Sequence, residues 1–413
     1  MKVNITPTRL LGEVFAPPSK SYAHRLLIAS FLSGKRVEIK NVGDSFDVQA
    51  TLGALESIGA KVEKTQNGVI VERTVIEKTD QIYCRESGST LRFLVPVVAG
   101  LGIKGEFTGE KRLMERPLGE LIDTLNERGA NIIGRTVNGK LKSGRYVINA
   151  GISSQYITGL LLALPLLNGD SELHLDGNVV SKGYIDITLD VLKQFGIKIE
   201  KKDYGFFVKG NQTYTPPNSE IWVEGDYSGA SFTLSLGALS DNGITVKGLN
   251  PNSCQGDREI VNVLKKFGAK VETKGANITV SKGKLNSVEL DCENIPDLVQ
   301  IISVVASFAK GESMLKNVDR LRIKESDRVQ AILDMLDRAG ISARYSNNAI
   351  YVKGGQPRGA IFQGGNDHRT VMSSTILSVN ATSDSEIIGA EAITKSYPAF
   401  FEDIIKLGGK ISG

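Results

Sequence analysis

The sequence predicts an α/β protein of two similar lobes, each assembled from three βαβαββ repeats. Three observations carry this expectation: a glycine-centred phrase recurs six times, an apolar run lies upstream of it in each repeat, and the composition breaks once, after the third copy. The phrase reads SIGAKVE at Gly59, ERGANII at Gly129, QFGIKIE at Gly196, KFGAKVE at Gly268, RAGISAR at Gly340 and KLGGKIS at Gly408. Successive glycines are 70, 67, 72, 72 and 68 residues apart.

Each phrase ends an amphipathic run and opens a β-rich one, the pattern of a helix stopped by a C-terminal glycine and followed by a strand. Before Gly340, for example, Val329, Ile332, Leu333, Leu336 and Ala339 share one helical face, while Asp334, Asp337 and Arg338 lie elsewhere. A second helical run lies about thirty to forty residues upstream of each glycine. The runs are STLRFLVPVVAG, QYITGLLLALPLL, ASFTLSLGALS, DLVQIISVVASFA and TVMSSTILSVNA, with the more polar SYAHRLLIASFLSG in the first copy. A short helix without a polar face belongs inside a domain. Between the two helices stand strand candidates such as GIKGEFTG and GITVKGL, and hairpin-like pairs such as KVETKGANITVS follow the second helix. The break is NQTYTPPNSE, around Pro216 and Pro217, leaving three repeats on each side.

The 413 residues carry 50 Lys and Arg against 46 Asp and Glu, a net charge of +4, with 41% hydrophobic and 23% charged residues. These are globular values that exclude disorder, collagen and coiled coil. So small a net charge gives no general attraction for nucleic acid or membrane, so a basic field must be local. Cys84, Cys254 and Cys292 lie far apart without CxxC spacing, which argues against a disulfide framework and a zinc site and for a reducing cytoplasm. The N-terminal stretch has no signal-like apolar core, and the longest uncharged apolar stretch, near residues 157–167, is too short to span a bilayer. A cytoplasmic monomer without metal or organic cofactor is the expectation.

Equivalent positions in repeats lie near one another after folding, so the six starts of the apolar helices are informative: PSKSYAHR, ESGSTLR, GISSQY, GDYSGAS, IPDLVQ and NDHRTVM. Capping accounts for serines and aspartates at such places. It does not account for Lys20, Arg25, Arg92 or Arg369, because cations near a helix N-terminus oppose the helix dipole. An anionic ligand would reconcile them. The starts of the second helices, RLMERPLGE, VVSKGYID, RIKESDR and TKSYP, add Arg116, Lys182, Lys324, Arg328 and Lys395. With Asp297 and Glu325 among these cations, the pattern suits a polyanionic substrate and proton transfer. Taken singly, each of these residues reads as a cap or a solvated charge, and His368 as a structural histidine; the functional reading rests on their joint recurrence.

The fragments PSKSYAHR, SGSTLRF, RLMERPLG, SSQYITGLL, VSKGYIDIT, IPD, RIKESDR, NDHR and TKSYP, in that order along the whole chain, resemble the 5-enolpyruvylshikimate-3-phosphate synthase family. The resemblance implies an inside-out α/β barrel in two lobes, residues 19–222 and residues 1–18 plus 223–413, with the active site in the cleft between them. It implies transfer of the enolpyruvyl group of phosphoenolpyruvate to the 5-hydroxyl of shikimate 3-phosphate, with release of phosphate. Shikimate 3-phosphate would be held by Lys20, Ser21, Arg25, Ser153, Ser154, Gln155, Ser181, Tyr184, Asp297 and Lys324. Phosphoenolpyruvate would be held by Lys20, Gly88, Arg116, Gln155, Arg328, Arg369 and Lys395. Asp297 would act as base at the hydroxyl, Glu325 as proton donor and acceptor at the methylene, and Lys20 with Lys324 would stabilise developing charge. The split of the ligand set between halves further suggests closure on the substrates.

Three positions depart from the family pattern: Glu86 stands where many members carry Asn, Arg320 replaces an Asn that commonly touches the shikimate ring, and Ser89 replaces Thr. The nearest alternative, a sister enzyme acting on UDP-N-acetylglucosamine, usually has a reactive cysteine in the loop that here reads KGEFTGEKRLMER and has none. A non-catalytic module for phosphate ligands or RNA ends is a second alternative, one that would need the cations but not Asp297 and Glu325.

Overall fold

A computed structural model of the chain describes residues 1–76 and 78–413. The backbone divides into two compact units, Lys20–Val223 and Met1–Ser19 with Glu224–Gly413. The fold is mixed α/β, and among the described residues the strands form six four-stranded sheets.

In the unit Lys20–Val223, one sheet has the spatial order Glu220–Trp222, Val37–Lys40, Gly68–Arg73, Ala60–Thr65. Its first pair is parallel, with Ile221 opposite Ile39, and its other pairs are antiparallel. The sheets begun by Lys78–Tyr83 and by Arg145–Asn149 follow the same sequence of pairings. A parallel pair needs a crossover. Within these last two sheets the crossover is an apolar helix, Gly88–Leu101 or Ser154–Ala163.

The other unit repeats the pattern with a twist supplied by the N-terminus. Gly12–Phe15 lies parallel to Ile244–Lys247, with Val14 opposite Val246. Lys2–Thr6 enters the last sheet between Ser385–Ile388 and Lys410–Ser412, antiparallel to both. The C-terminal repeat thus takes its closing strand from the start of the chain. No described helix is long and apolar enough to cross a membrane.

The helices fall into the two kinds that their residue patterns require. In Tyr227–Leu239 and His368–Val379 every residue is buried, whereas Arg328–Arg338 buries only Arg328, Val329, Ile332, Met335 and Leu336. Some of the interior serines and threonines bond back to carbonyls of the same helix, whereas the buried hydroxyls of Ser235, Ser373, Ser374 and Ser378 have no hydrogen-bond partner among the described residues. Ser231 donates to Ser228 O (2.6 Å), Ser303 to Gln300 O (2.6 Å) and Thr375 to Val371 O (2.9 Å). The six phrase glycines all have left-handed backbone, with φ between 75° at Gly196 and 100° at Gly59 and Gly268, where a side chain would be strained. All three cysteines are free thiols, Cys84 and Cys292 buried and Cys254 exposed.

Two glycines of opposite circumstance test this packing. A Cβ on Gly354 would stand 1.6 Å from the Ala309 carbonyl oxygen, while one on Gly53, in the exposed face of the helix Phe46–Ser57, meets nothing within 4 Å. Gly354→Ala should lower stability by more than about 2 kcal/mol, and Gly53→Ala should raise it by up to about 1 kcal/mol. Denaturant midpoints of the two variants, moving in opposite directions, check both.

Candidate active site

In the unit Lys20–Val223 the candidate residues gather where helices begin. Lys20 opens the helix Lys20–Ser33 and its ammonium reaches Asp47 at 2.7 Å. One turn on, Arg25 is 2% exposed. Its Nε donates to Thr188 Oγ1 (2.8 Å), Nη1 to Ser21 O (2.7 Å), and Nη2 to Thr158 Oγ1 (3.1 Å) and Tyr184 O (3.0 Å). Its guanidinium also lies 4.8 Å from the Phe93 ring centre. Every one of these oxygens is neutral. Burial pulls the guanidinium down to about 9, with Tyr184 and Tyr22 opposing, so it stays charged at neutral pH. A buried cation bonded to neutral acceptors carries a desolvation cost that an anion would offset.

A second group surrounds Gly88, the first residue of its helix, which Ser87 caps through Thr90 N–H at 3.2 Å. A Cβ on Gly88 would stand 2.6 Å from Arg92 Nη1 and 2.7 Å from Arg116 Nη1. Glycine is what lets two guanidinium ends approach the same backbone point. Gln155 accepts from Arg92 Nη1 (2.9 Å) and donates to Ser89 Oγ (3.0 Å). Ser153 caps the helix Ser154–Ala163 through Gln155 N–H at 3.2 Å. Ser181 is buried at the cap position of Lys182–Gln194 with φ 54°, an unusual conformation for a residue with a side chain. Beneath these groups runs a buried chain from His24 Nδ1 to Thr51 (2.7 Å), Thr90 (2.7 Å) and Ser87 (2.8 Å). Burial, with Lys20 and Arg25, holds His24 well below the usual histidine range, so it is neutral.

In the other unit the candidates converge on Arg328, the first residue of Arg328–Arg338 and 2% exposed. Its Nη1 meets Asp297 Oδ1 at 2.8 Å, its Nη2 Glu325 Oε2 at 2.7 Å and its Nε Asp367 Oδ2 at 2.8 Å. Burial opposes the charge, and Asp367, Glu325 and Asp297 more than compensate, raising its pKa. Asp297 is also approached by Arg369 Nη2 (3.4 Å) and Lys324 Nζ (3.6 Å). Burial pulls the Lys324 ammonium below the usual lysine range, against the pull of Asp297. Lys395 Nζ donates to Asn366 O at 2.6 Å, beside Asp367.

Asp297, Lys324, Glu325, Arg328 and Arg369 are therefore one constellation. Ser21, Arg25 and Tyr184 form another, and Gly88, Arg116 and Gln155 a third. Two sequence-based placements need correction. Arg116 does not open a helix: it follows Lys111–Glu115 in extended conformation, ψ 145°, because Pro117 excludes the helical region for its predecessor. Lys395 ends the short turn Ala390–Lys395, five residues before the helix Phe400–Lys406. Asp367, Asp47, Thr158 and Thr188 escaped sequence reasoning. Asp367 had a visible signal, since it caps His368–Val379 through Arg369 N–H (2.9 Å) and stands beside a cation; the threonines had none, lying mid-helix in apolar company.

Comparison with known proteins fixes the family. A profile described as EPSP synthase (3-phosphoshikimate 1-carboxyvinyltransferase) matches residues 5–404. The chain belongs to the EPSP synthase family. It is 42% identical over 423 residues to the 3-phosphoshikimate 1-carboxyvinyltransferase of Clostridium kluyveri, covering 99% of this chain and 98% of that one. It is 37% identical to the enzyme so named from Clostridioides difficile, again over 99% and 98%. A solved structure of EPSP synthase from Acinetobacter baumannii shares the fold, with TM-score 0.83, 22% identity and full coverage of both chains. So does the enolpyruvyl transferase NikO from Streptomyces tendae, with TM-score 0.81, 16% identity, and coverage of 100% of this chain and 98% of that one.

The arginine among three carboxylates sets a pH test. Asp367 is fully buried, which raises its pKa, but Arg328 and His368 draw it below the ordinary aspartate value. A carboxyl lowered in the folded state contributes stability above its unfolded value, about 3.9, and that contribution is lost as pH falls through the lowered value. Arg328→Lys replaces a planar fork that reaches three separate carboxylates by a single compact charge. It should cost about 3 kcal/mol or more and move the acid-unfolding midpoint to higher pH, read by circular dichroism.

Proposed function

We propose that the protein transfers the enolpyruvyl group of phosphoenolpyruvate to the 5-hydroxyl of shikimate 3-phosphate, releasing phosphate, as a cytoplasmic enzyme of aromatic biosynthesis. Membership of the EPSP synthase family over residues 5–404 is the observation that carries it. The six sheets and their buried helices are read as the inside-out α/β barrel of that family, three repeats to a lobe.

The chemistry removes a proton from the 5-hydroxyl and adds one to the methylene carbon, giving a tetrahedral ketal that eliminates phosphate. Asp297 is assigned the first task and Glu325 the second, supported by their shared contact with Arg328 at 2.8 and 2.7 Å, which places both carboxylates around one cation. Lys20 and Lys324 are assigned to developing negative charge. Arg25, with Ser21, Ser153, Ser154, Gln155, Ser181 and Tyr184, is assigned to shikimate 3-phosphate. Gly88, Arg116, Gln155, Arg328, Arg369 and Lys395 are assigned to phosphoenolpyruvate, with Lys20 serving both ligands. Each phosphate brings about −1.5 to −2 charges at neutral pH, a counterpart for the cations at these helix starts.

Phosphate release from phosphoenolpyruvate should occur with shikimate 3-phosphate as acceptor and not with UDP-N-acetylglucosamine; turnover with the sugar nucleotide alone would reverse the assignment. Arg25→Gln keeps an amide donor for the threonine hydroxyls and removes the buried charge. Its ligand-free melting temperature should stay within about 4 °C of wild type, equivalent to about 1–2 kcal/mol, while affinity for shikimate 3-phosphate falls about 100-fold, or about 3 kcal/mol. Calorimetric titration with the ligand and a thermal scan without it separate the two effects.

A further inference from the structure

Tyr156 belongs to none of the groups above, yet it is 1% exposed and directly follows Gln155 in the helix Ser154–Ala163. Its hydroxyl donates to Pro117 O at 2.7 Å. Arg92 Nη2 donates to the same carbonyl at 3.1 Å, while Arg92 Nη1 donates to Gln155 Oε1 at 2.9 Å. The Arg92 guanidinium also lies 5.9 Å from the Tyr156 ring centre. A carbonyl oxygen has two lone pairs, so that of Pro117 can accept both bonds at once. Burial raises the Tyr156 phenol above the ordinary tyrosine range, with Arg92 opposing, so the phenol keeps its proton and donates at neutral pH.

What this carbonyl holds is the residue before it. Arg116 lies between the five-residue helix Lys111–Glu115 and Pro117. A helix so short has no stability of its own, so the segment depends on ties to its neighbours. On one side Arg135 Nη2 donates to Met114 O at 2.6 Å, and Arg116 N–H to Leu113 O at 3.2 Å. On the other side Arg92 and Tyr156 hold Pro117 O. The ties also answer an electrostatic need. Arg92 Nη1 and Arg116 Nη1 lie 2.6 and 2.7 Å from the position a Cβ would take on Gly88, and like charges that close repel.

We propose that Tyr156 is a positioning residue for the phosphoenolpyruvate site: its hydroxyl, with Arg92, clamps the Pro117 carbonyl and so holds the Arg116 guanidinium beside Gly88 for its anionic ligand. This rests on the assignment of Arg116 to phosphoenolpyruvate made above. Tyr156 acts through Arg116 rather than on the ligand. A phenylalanine in its place keeps the ring and leaves the carbonyl to Arg92 alone, so the loss falls on the aim of Arg116 and not on the packing.

The test is steady-state kinetics of the full-length enzyme, varying each substrate in turn, for Tyr156→Phe, Arg116→Ala and the double variant. Loss of one buried hydrogen bond predicts that Tyr156→Phe raises KM for phosphoenolpyruvate about fivefold. KM for shikimate 3-phosphate and kcat should stay within about twofold of wild type, and the ligand-free melting temperature within about 4 °C. Arg116→Ala should raise KM for phosphoenolpyruvate at least about tenfold. In that background no guanidinium is left to aim, so adding Tyr156→Phe should change KM by less than about twofold. An unchanged KM for phosphoenolpyruvate in Tyr156→Phe, an equal rise for both substrates, or the full fivefold loss in the Arg116→Ala background would each overturn the clamp. If Arg116→Ala leaves KM for phosphoenolpyruvate unchanged, the assignment of Arg116 itself fails and the clamp falls with it. A raised KM in Arg116→Ala with a normal Tyr156→Phe removes the clamp alone.

Discussion

A helix with no polar face can carry charge only at its ends, and that constraint organises this protein. Tyr227–Leu239 and His368–Val379 are buried along their whole length, and Gly88–Leu101 nearly so. Some interior hydroxyls, those of Ser231, Ser303 and Thr375 among them, bond to carbonyls of their own helices. The charged candidates collect near the helix starts, where unpaired N–H groups and positive helix ends favour anions. Gly88, Ser153, Asp297 and Arg369 stand at or just before such turns, and Arg25 stands one turn further along its helix.

The two units manage the cost of buried cations in opposite ways. Among the described residues, the hydrogen-bond acceptors of Arg25 are neutral oxygens and no carboxylate pairs with it. Arg328 is crowded by three carboxylates at 2.7 to 2.8 Å, so its geometry is fixed before any ligand arrives. The first arrangement leaves electrostatic attraction for an anion; the second keeps two acidic groups, Asp297 and Glu325, at a defined separation from one cation. Binding and proton transfer ask for these different states.

Much of the architecture was legible because it is periodic. The glycine phrases announced six left-handed backbone positions, and the all-apolar runs announced helices that had to be interior. What was not legible is pairing between distant segments. Nothing in KVNIT says that it lies between Ser385–Ile388 and Lys410–Ser412, because a strand's alternation states which face is buried and not which neighbour it takes. The site shows the same limit. Cations at helix starts stood out against the dipole, but Asp367 looked like an ordinary cap. Thr158 and Thr188 looked like helix interior. Their roles come from what lies opposite them in space, over 100 residues away in the case of the threonines that hold Arg25.

The central claim is that these helix starts, and no other surface, hold the anionic substrate. A crystal structure with shikimate 3-phosphate bound tests it most directly. The account predicts anionic oxygens of the ligand within hydrogen-bond distance, about 2.7–3.2 Å, of the Arg25 guanidinium and of the hydroxyls of Ser153, Ser154 and Ser181. A ligand seated elsewhere, with Arg25 still bonded to Thr158, Thr188, Ser21 and Tyr184 alone, would contradict it.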